Sequence, residues 1–172
     1  LGPIAMRLEV KEGQRGLTLI NDSYNSDVNS LDIALDFMNR RIENKSQSSA
    51  FNTQVKKTLI LSDIYQTGES STELYREVSD LIMKRGVDRF IGIGPEISSQ
   101  ASQIEIGQKW FFDNVEQFLQ SNLFRSLNHE IVLLKGARPF GFERITELLE
   151  QKVHETILEV DLNAVVDNLN YD

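Results

Sequence analysis

Three short and almost wholly apolar runs constrain this chain most: Thr58-Leu59-Ile60-Leu61, Arg89-Phe90-Ile91-Gly92-Ile93-Gly94 and Ile131-Val132-Leu133-Leu134. Each is too short for a buried helix and lacks the polar alternation of a half-exposed strand, so each is expected to be a strand covered on both faces. Such strands need helices above and below them, and the sequence supplies candidates. Leu31, Leu35, Met38 and Ile42 share one helical stripe, which predicts a helix over 30–44 with Ser30 as N-cap and Asp32 in the first turn. Leu74, Val78, Leu81 and Ile82 predict a second over 70–84, stopped by Gly86. Trp110 to Phe112 suggests a further strand, with helices expected over 115–123 and 142–152. At the front, Met6 to Val10 alternates, residues 12–16 break the pattern and Leu17 to Ile20 resumes it, which is a hairpin signature. The expected fold class is α/β: a Rossmann-like, mostly parallel sheet flanked by helices, with an N-terminal β-hairpin.

A formal charge of −8 argues against a nucleic-acid partner or an anionic membrane surface, because neither would meet a basic face. No apolar run approaches the roughly 18–20 residues of a membrane span. The absence of cysteine removes thiolate chemistry and fits a cytoplasmic setting. His129 and His154 lack ligand-like spacing, so no metal site is expected from them. The opening Leu1-Gly2-Pro3 suggests a piece cut from a longer chain.

Ligands of open α/β sheets bind outside the carboxyl ends of the strands. The residues leaving the expected strands at that edge are Asn21-Asp22-Ser23-Tyr24-Asn25, Ser62-Asp63, Gly94 and Lys135-Gly136-Ala137-Arg138. Asp22 and Asn25 have the acceptors and donors to meet sugar hydroxyls or a base edge; the plainer alternative is an Asx-rich turn that satisfies its own backbone. Lys135 and Arg138 bracket a glycine after a buried strand, as a loop that captures phosphate or carboxylate does, or as two solvated surface cations do. Neither Gly-x-Gly-x-x-Gly opening a helix nor Gly-x-x-x-x-Gly-Lys-Ser/Thr occurs, so both common phosphate cradles are missing.

The string Ile20-Asn21-Asp22-Ser23-Tyr24-Asn25-Ser26-Asp27 resembles the C-terminal domain of the Mur ligases. It is preceded by Pro3-x-x-x-Arg7-x-Glu9 and followed by Leu59-Ile60-Leu61-Ser62-Asp63 and Leu134-Lys135-Gly136-Ala137-Arg138. Within that family it looks most like the MurF branch, which joins D-alanyl-D-alanine to UDP-MurNAc-tripeptide. Residues 153–172, from Val153-His154-Glu155 to Asn168-Leu169-Asn170-Tyr171, look like the start of an alanine racemase. The resemblance thus implies a ligase C-terminal domain over 1–152 and a truncated racemase start over 153–172, from a bifunctional fusion.

What it further implies is an ATP-dependent amide ligation through an acyl phosphate, in a cytoplasmic enzyme of peptidoglycan synthesis. Upstream ligase domains would supply the phosphate loop and hold Mg2+, and pyridoxal phosphate would belong only to the downstream racemase domain. The resemblance gives Arg7, Asn21, Asp22 and Asn25 to ATP, Lys135 and Arg138 to catalysis, and Lys135, Arg138 and Asp63 to the dipeptide. The fragment alone is then expected to be inactive. The chain departs from the family pattern at Val28 (usually proline), Ser62 (glycine), Ile64 to Thr67 (a Met-Leu-Glu-Leu-like run) and Tyr75 (often histidine). A competing expectation is a receiver-like signalling module with Asp63 as phosphoacceptor beside Lys135.

Overall fold

The computed structural model describes residues 8–22, 27–48, 54–66 and 68–151. In these residues six strands form one sheet: β1 (Leu8–Glu12), β2 (Thr18–Asp22), β3 (Lys56–Ser62), β4 (Arg89–Ile93), β5 (Lys109–Phe112) and β6 (Glu130–Lys135). Their spatial order is β1-β2-β6-β3-β4-β5. The β1–β2 pair is the antiparallel hairpin, and all other pairings are parallel. The hairpin turn carries Arg15 and Gly16 at positive φ, 54° and 72°. The anticipated α/β class, mostly parallel sheet and leading hairpin are all present.

Among the described residues six helices cover the sheet: α1 (Val28–Ser48), α2 (Ser71–Lys84), α3 (Pro95–Ser99), α4 (Val115–Leu119), α5 (Asn122–Ser126) and α6 (Glu143–Leu149). Side chains alternate across a strand, so each strand feeds two cores. Ile20, Leu59, Leu61, Phe90, Ile131 and Leu133 pack against Leu35 and Met38 of α1, Val78 and Ile82 of α2, and Ile97 of α3. Leu19, Ile60, Ile91, Val132 and Leu134 pack on the other face against Phe118 of α4 and Ile145 and Leu149 of α6. Right-handed crossovers explain this division. The chain moves one way through the sheet from β2 to β5, placing α1, α2 and α3 on one face, and returns from β5 to β6 with α4 and α5 on the other.

Several element ends differ from the sequence expectation. The cap of α1 is Asp27, whose Oδ1 accepts from the Ser30 backbone N–H at 2.7 Å, so Ser30 lies inside the first turn. Ser70, expected as the first helical residue, is instead the N-cap of α2, and Gly86 has φ 74° just beyond its end. The helix expected over 115–123 is two short ones, because Ser121 accepts from Phe124 N–H and restarts the chain as α5. The last helix stops at Leu149; Glu150 turns extended and bridges to Gly13 of the hairpin, beside a Lys11–Glu150 ion pair at 2.5 Å.

Numbered among themselves, the five parallel strands run 1-5-2-3-4, since β6 inserts between β2 and β3. A receiver-like module has the flavodoxin-like order 2-1-3-4-5. The signalling alternative is therefore corrected by topology.

At the amino edge of the sheet, Arg89 Nη2 donates to both carboxylate oxygens of buried Glu130, at 3.0 and 2.9 Å, and the Thr58 hydroxyl bonds to the same group. The Arg89 guanidinium lies 5.6 Å from the centre of the Trp110 ring. This network joins β3, β4, β5 and β6 at the end remote from the strand exits.

Candidate functional site at the carboxyl edge

A crevice opens in a parallel sheet where neighbouring strands send their chains to opposite faces. Strand β6 has such a neighbour on both sides, since β2 and β3 lead into α1 and α2 while β6 leads toward α6 on the other face. The end of β6 is Lys135, and its register partners are Asp22 of β2 and Leu61 of β3. The topology thus brings Asp22, Lys135 and the Ser62-Asp63 corner side by side, although more than a hundred residues separate the first two.

Lys135 Nζ donates to Asp22 Oδ2 at 2.8 Å, and the two side chains are 1% and 0% exposed. Both point to the α1 face, following Ile20 on β2 and Leu133 on β6. Two opposite charges this deeply buried stabilise each other only as a pair, because either one alone would keep its desolvation cost. Asn21 is placed differently from its neighbour: it follows Leu19 in the alternation and faces the other side, where it is half-buried. Arg7 and Asn25, the remaining residues assigned to ATP, lie outside the described residues.

Asp63 leaves β3 at 5% exposure and points at the start of α3. Its Oδ1 accepts from Ile97 N–H at 2.8 Å and its Oδ2 from Glu96 N–H at 3.3 Å, so the carboxylate caps that short helix. Burial pushes the Asp63 carboxyl above its ordinary value, and the two N–H donors oppose that rise. Gly94 makes the approach possible: its φ is 140°, and a Cβ there would lie 2.3 Å from Asp63 Oδ1. The residue expected to touch substrate is thus engaged in ordering the chain beyond β4.

The departures at Ser62 and Tyr75 have local roles. Ser62 Oγ accepts from Ala137 N–H at 2.8 Å and donates to the Asp63 carbonyl at 2.9 Å, tying the exit of β3 to the loop after β6. The Tyr75 hydroxyl accepts from Ile64 N–H at 3.0 Å, and burial, above all, raises its ionisation far beyond the ordinary phenol. The same loop after β6 makes a close contact, because a Cβ on Gly136 would meet the Phe142 ring at 2.4 Å. Arg138 then stands exposed on the 3-10 turn Arg138–Phe140, with no hydrogen bond or ion pair from its guanidinium among the described residues. Beside it, Phe140 lies 6.2 Å, centre to centre, from the ring of Tyr65, which is 60% exposed.

The rim therefore combines a buried ion pair, a carboxylate spent on a helix cap, one exposed arginine and an aromatic pair. Such a rim is suited to meeting an anionic ligand at Arg138 against a rigid floor. Among the described residues it carries no nucleophile–base pair. Among the described residues no group of three or more His, Cys, Asp or Glu side chains has the geometry to hold a metal ion. No helix of the described residues is long and apolar enough to cross a membrane. The Ser62 and Tyr75 bonds and the Tyr65–Phe140 pair were missed by sequence reasoning; only the paired exits of β3 and β6, once placed as neighbours, point to them.

No family model matches the sequence. Among solved structures, the chain is similar to MurF from Acinetobacter baumannii at 17% identity and a TM-score of 0.62, over 83% of this chain and 30% of that one. It is similar to the MurF ligase of Thermotoga maritima, solved with ADP, at 21% identity and a TM-score of 0.55, over 86% and 31%. A third match is the UDP-N-acetylmuramoylalanyl-D-glutamyl-2,6-diaminopimelate–D-alanyl-D-alanyl ligase of Acinetobacter baumannii, at 22% identity and 0.55, over 83% and 28%. At these identities the likeness is one of fold, and the chain spans under a third of each of those structures.

Proposed function

We propose that this chain is the C-terminal domain, over 1–152, of a MurF-type ATP-dependent ligase that joins D-alanyl-D-alanine to UDP-MurNAc-tripeptide in cytoplasmic peptidoglycan synthesis. In this reading the chain continues past residue 153 into an alanine racemase. The observation that carries the proposal is the fold: the six-strand domain matches MurF structures from two organisms over more than four fifths of its length. The four sequence motifs of the Mur pattern support it, because the described ones lie at or beside one crevice.

In the proposed reaction ATP phosphorylates the tripeptide carboxylate, the dipeptide amine attacks the acyl carbon, and the C–O bond to phosphate breaks as the amide forms. The domain's part is to bind and orient. Arg138 reaches into solvent at the crevice and is the group best placed to meet the dipeptide carboxylate or the charge developing on the leaving phosphate. Lys135 and Asp22 form the floor, where the lysine adds positive potential while its partner holds it in place. Arg7, Asn21 and Asn25 are proposed on the ATP side. Asp63 acts through α3, as a positioning residue. Among the described residues no side-chain group fits a magnesium site; in this proposal Mg2+ belongs to the upstream domains and pyridoxal phosphate to the downstream racemase.

The test is ligation by the full-length protein. With ATP, UDP-MurNAc-tripeptide and D-alanyl-D-alanine, the expected result is the pentapeptide product by mass spectrometry and phosphate release that requires both co-substrates. A folded full-length protein that forms no amide under these conditions overturns the proposal.

A further inference from the structure

Apart from Glu43, the charges of α1 are segregated, with Asp32 and Asp36 in its first half and Arg40, Arg41 and Lys45 in its second. That order suits the helix dipole, but the dipole does not account for how Arg41 is placed. Phe37, Arg40, Arg41, Asn44 and Lys45 line a hollow of about 380 Å³. Arg40 Nε is bonded to Asp36 Oδ2 at 2.9 Å. The Nε of Arg41 is buried without any hydrogen-bond partner, and its guanidinium forms no ion pair among the described residues. A buried donor without an acceptor costs about 1–3 kcal/mol, more when charged, so such a group calls for an acceptor.

We infer that this hollow is an oxyanion-binding site, taking a phosphate or carboxylate group on the Arg41 guanidinium with Phe37 as its apolar wall. The geometry matches the ligand class in three ways. A guanidinium presents a planar fork that two oxygens of one anion meet side by side. Arg40 and Lys45 join Arg41 in the lining, which holds no acidic side chain among the described residues, in a chain whose net charge is −8. The half-buried Phe37 supplies an apolar wall beside the guanidinium. Arg41 lies about 20 Å along the helix from Val28, at 1.5 Å rise per residue. The site is therefore separate from the crevice at the carboxyl edge and independent of the ligase proposal.

The test is titration of the protein at low ionic strength, followed by amide chemical shifts, with inorganic phosphate in one arm and malonate in the other. The expected result is saturable shifts confined to residues 37–45. Saturation by both probes identifies a general oxyanion site, and saturation by one alone identifies which oxyanion it prefers. Arg41→Met should weaken binding about tenfold or more, as the loss of a charge-assisted pair does. Arg41→Lys, which keeps the charge and the fold but not the fork, should weaken it several-fold, and Arg125→Met, an exposed cation on α5, should leave it unchanged. Absence of saturation with both probes overturns the inference, as does equal weakening by Arg41→Met and Arg125→Met, which would report diffuse electrostatics.

Discussion

Replacing Lys135 by methionine removes the charge at the floor of the crevice while keeping the apolar stem. It leaves the Asp22 carboxylate at 0% exposure without its 2.8 Å partner. At an effective dielectric constant of about 20 the gross attraction across that distance is about 6 kcal/mol. Desolvation of the two ions opposes it by several kcal/mol each, so the net worth of the pair is small although breaking it is costly. The expected loss for Lys135→Met or Asp22→Asn alone is about 3–5 kcal/mol, the usual range when one partner of a buried pair is removed. In a domain of this size that lowers the melting temperature by roughly 6–20 °C. The double variant should recover much of the loss, giving a coupling energy of roughly 2–3 kcal/mol in urea denaturation of the two singles and the double. Single losses under about 1 kcal/mol that simply add in the double, as for an exposed ion pair, would refute the claim that the pair is buried and mutually dependent. Because Lys135→Ala also breaks the buried pair, a melting curve belongs beside the rate in any ligation assay of that variant.

At the opposite edge, Glu130→Ala strands Arg89 at 11% side-chain exposure and should cost about 3 kcal/mol or more, measured by denaturant midpoint. Asp63 supplies a pH signature. Its folded value is raised above 3.8 by burial, so its contribution to stability is fully present below that pH and is lost as pH rises through the raised value. The stability difference between wild type and Asp63→Asn, which keeps an acceptor for α3, should accordingly fall with rising pH, and a difference that rises would contradict the assignment.

The strands were legible because β3, β4 and β6 are buried on both faces and so are written as continuous apolar runs. The hairpin was legible from alternation broken by Gly13 and Gly16. Helix α3 was not, because it is a single short turn following directly on the apolar run that ends at Gly94; proline at its first helical position is the available signal. Ser121, likewise, was an N-cap inside what looked like one helix. The site was half legible. The residues leaving the strands could be listed, but their neighbours depend on β6 inserting between β2 and β3, which local sequence does not encode. Hence the Lys135–Asp22 pair and the bond by which Asp63 caps α3 could not be read from the sequence, although both residues could be listed at the strand exits.

The reading that this crevice completes a ligase site rests most directly on Arg138, which is exposed and makes no side-chain bond among the described residues, so that Arg138→Ala should shift stability by under about 0.5 kcal/mol. The measurement is kcat/KM for D-alanyl-D-alanine in the full-length protein, wild type against Arg138→Ala, with melting temperatures taken on both. A drop of about tenfold or more at unchanged melting temperature is the predicted result, as expected for losing a charge-assisted contact. Unchanged kinetics would contradict it.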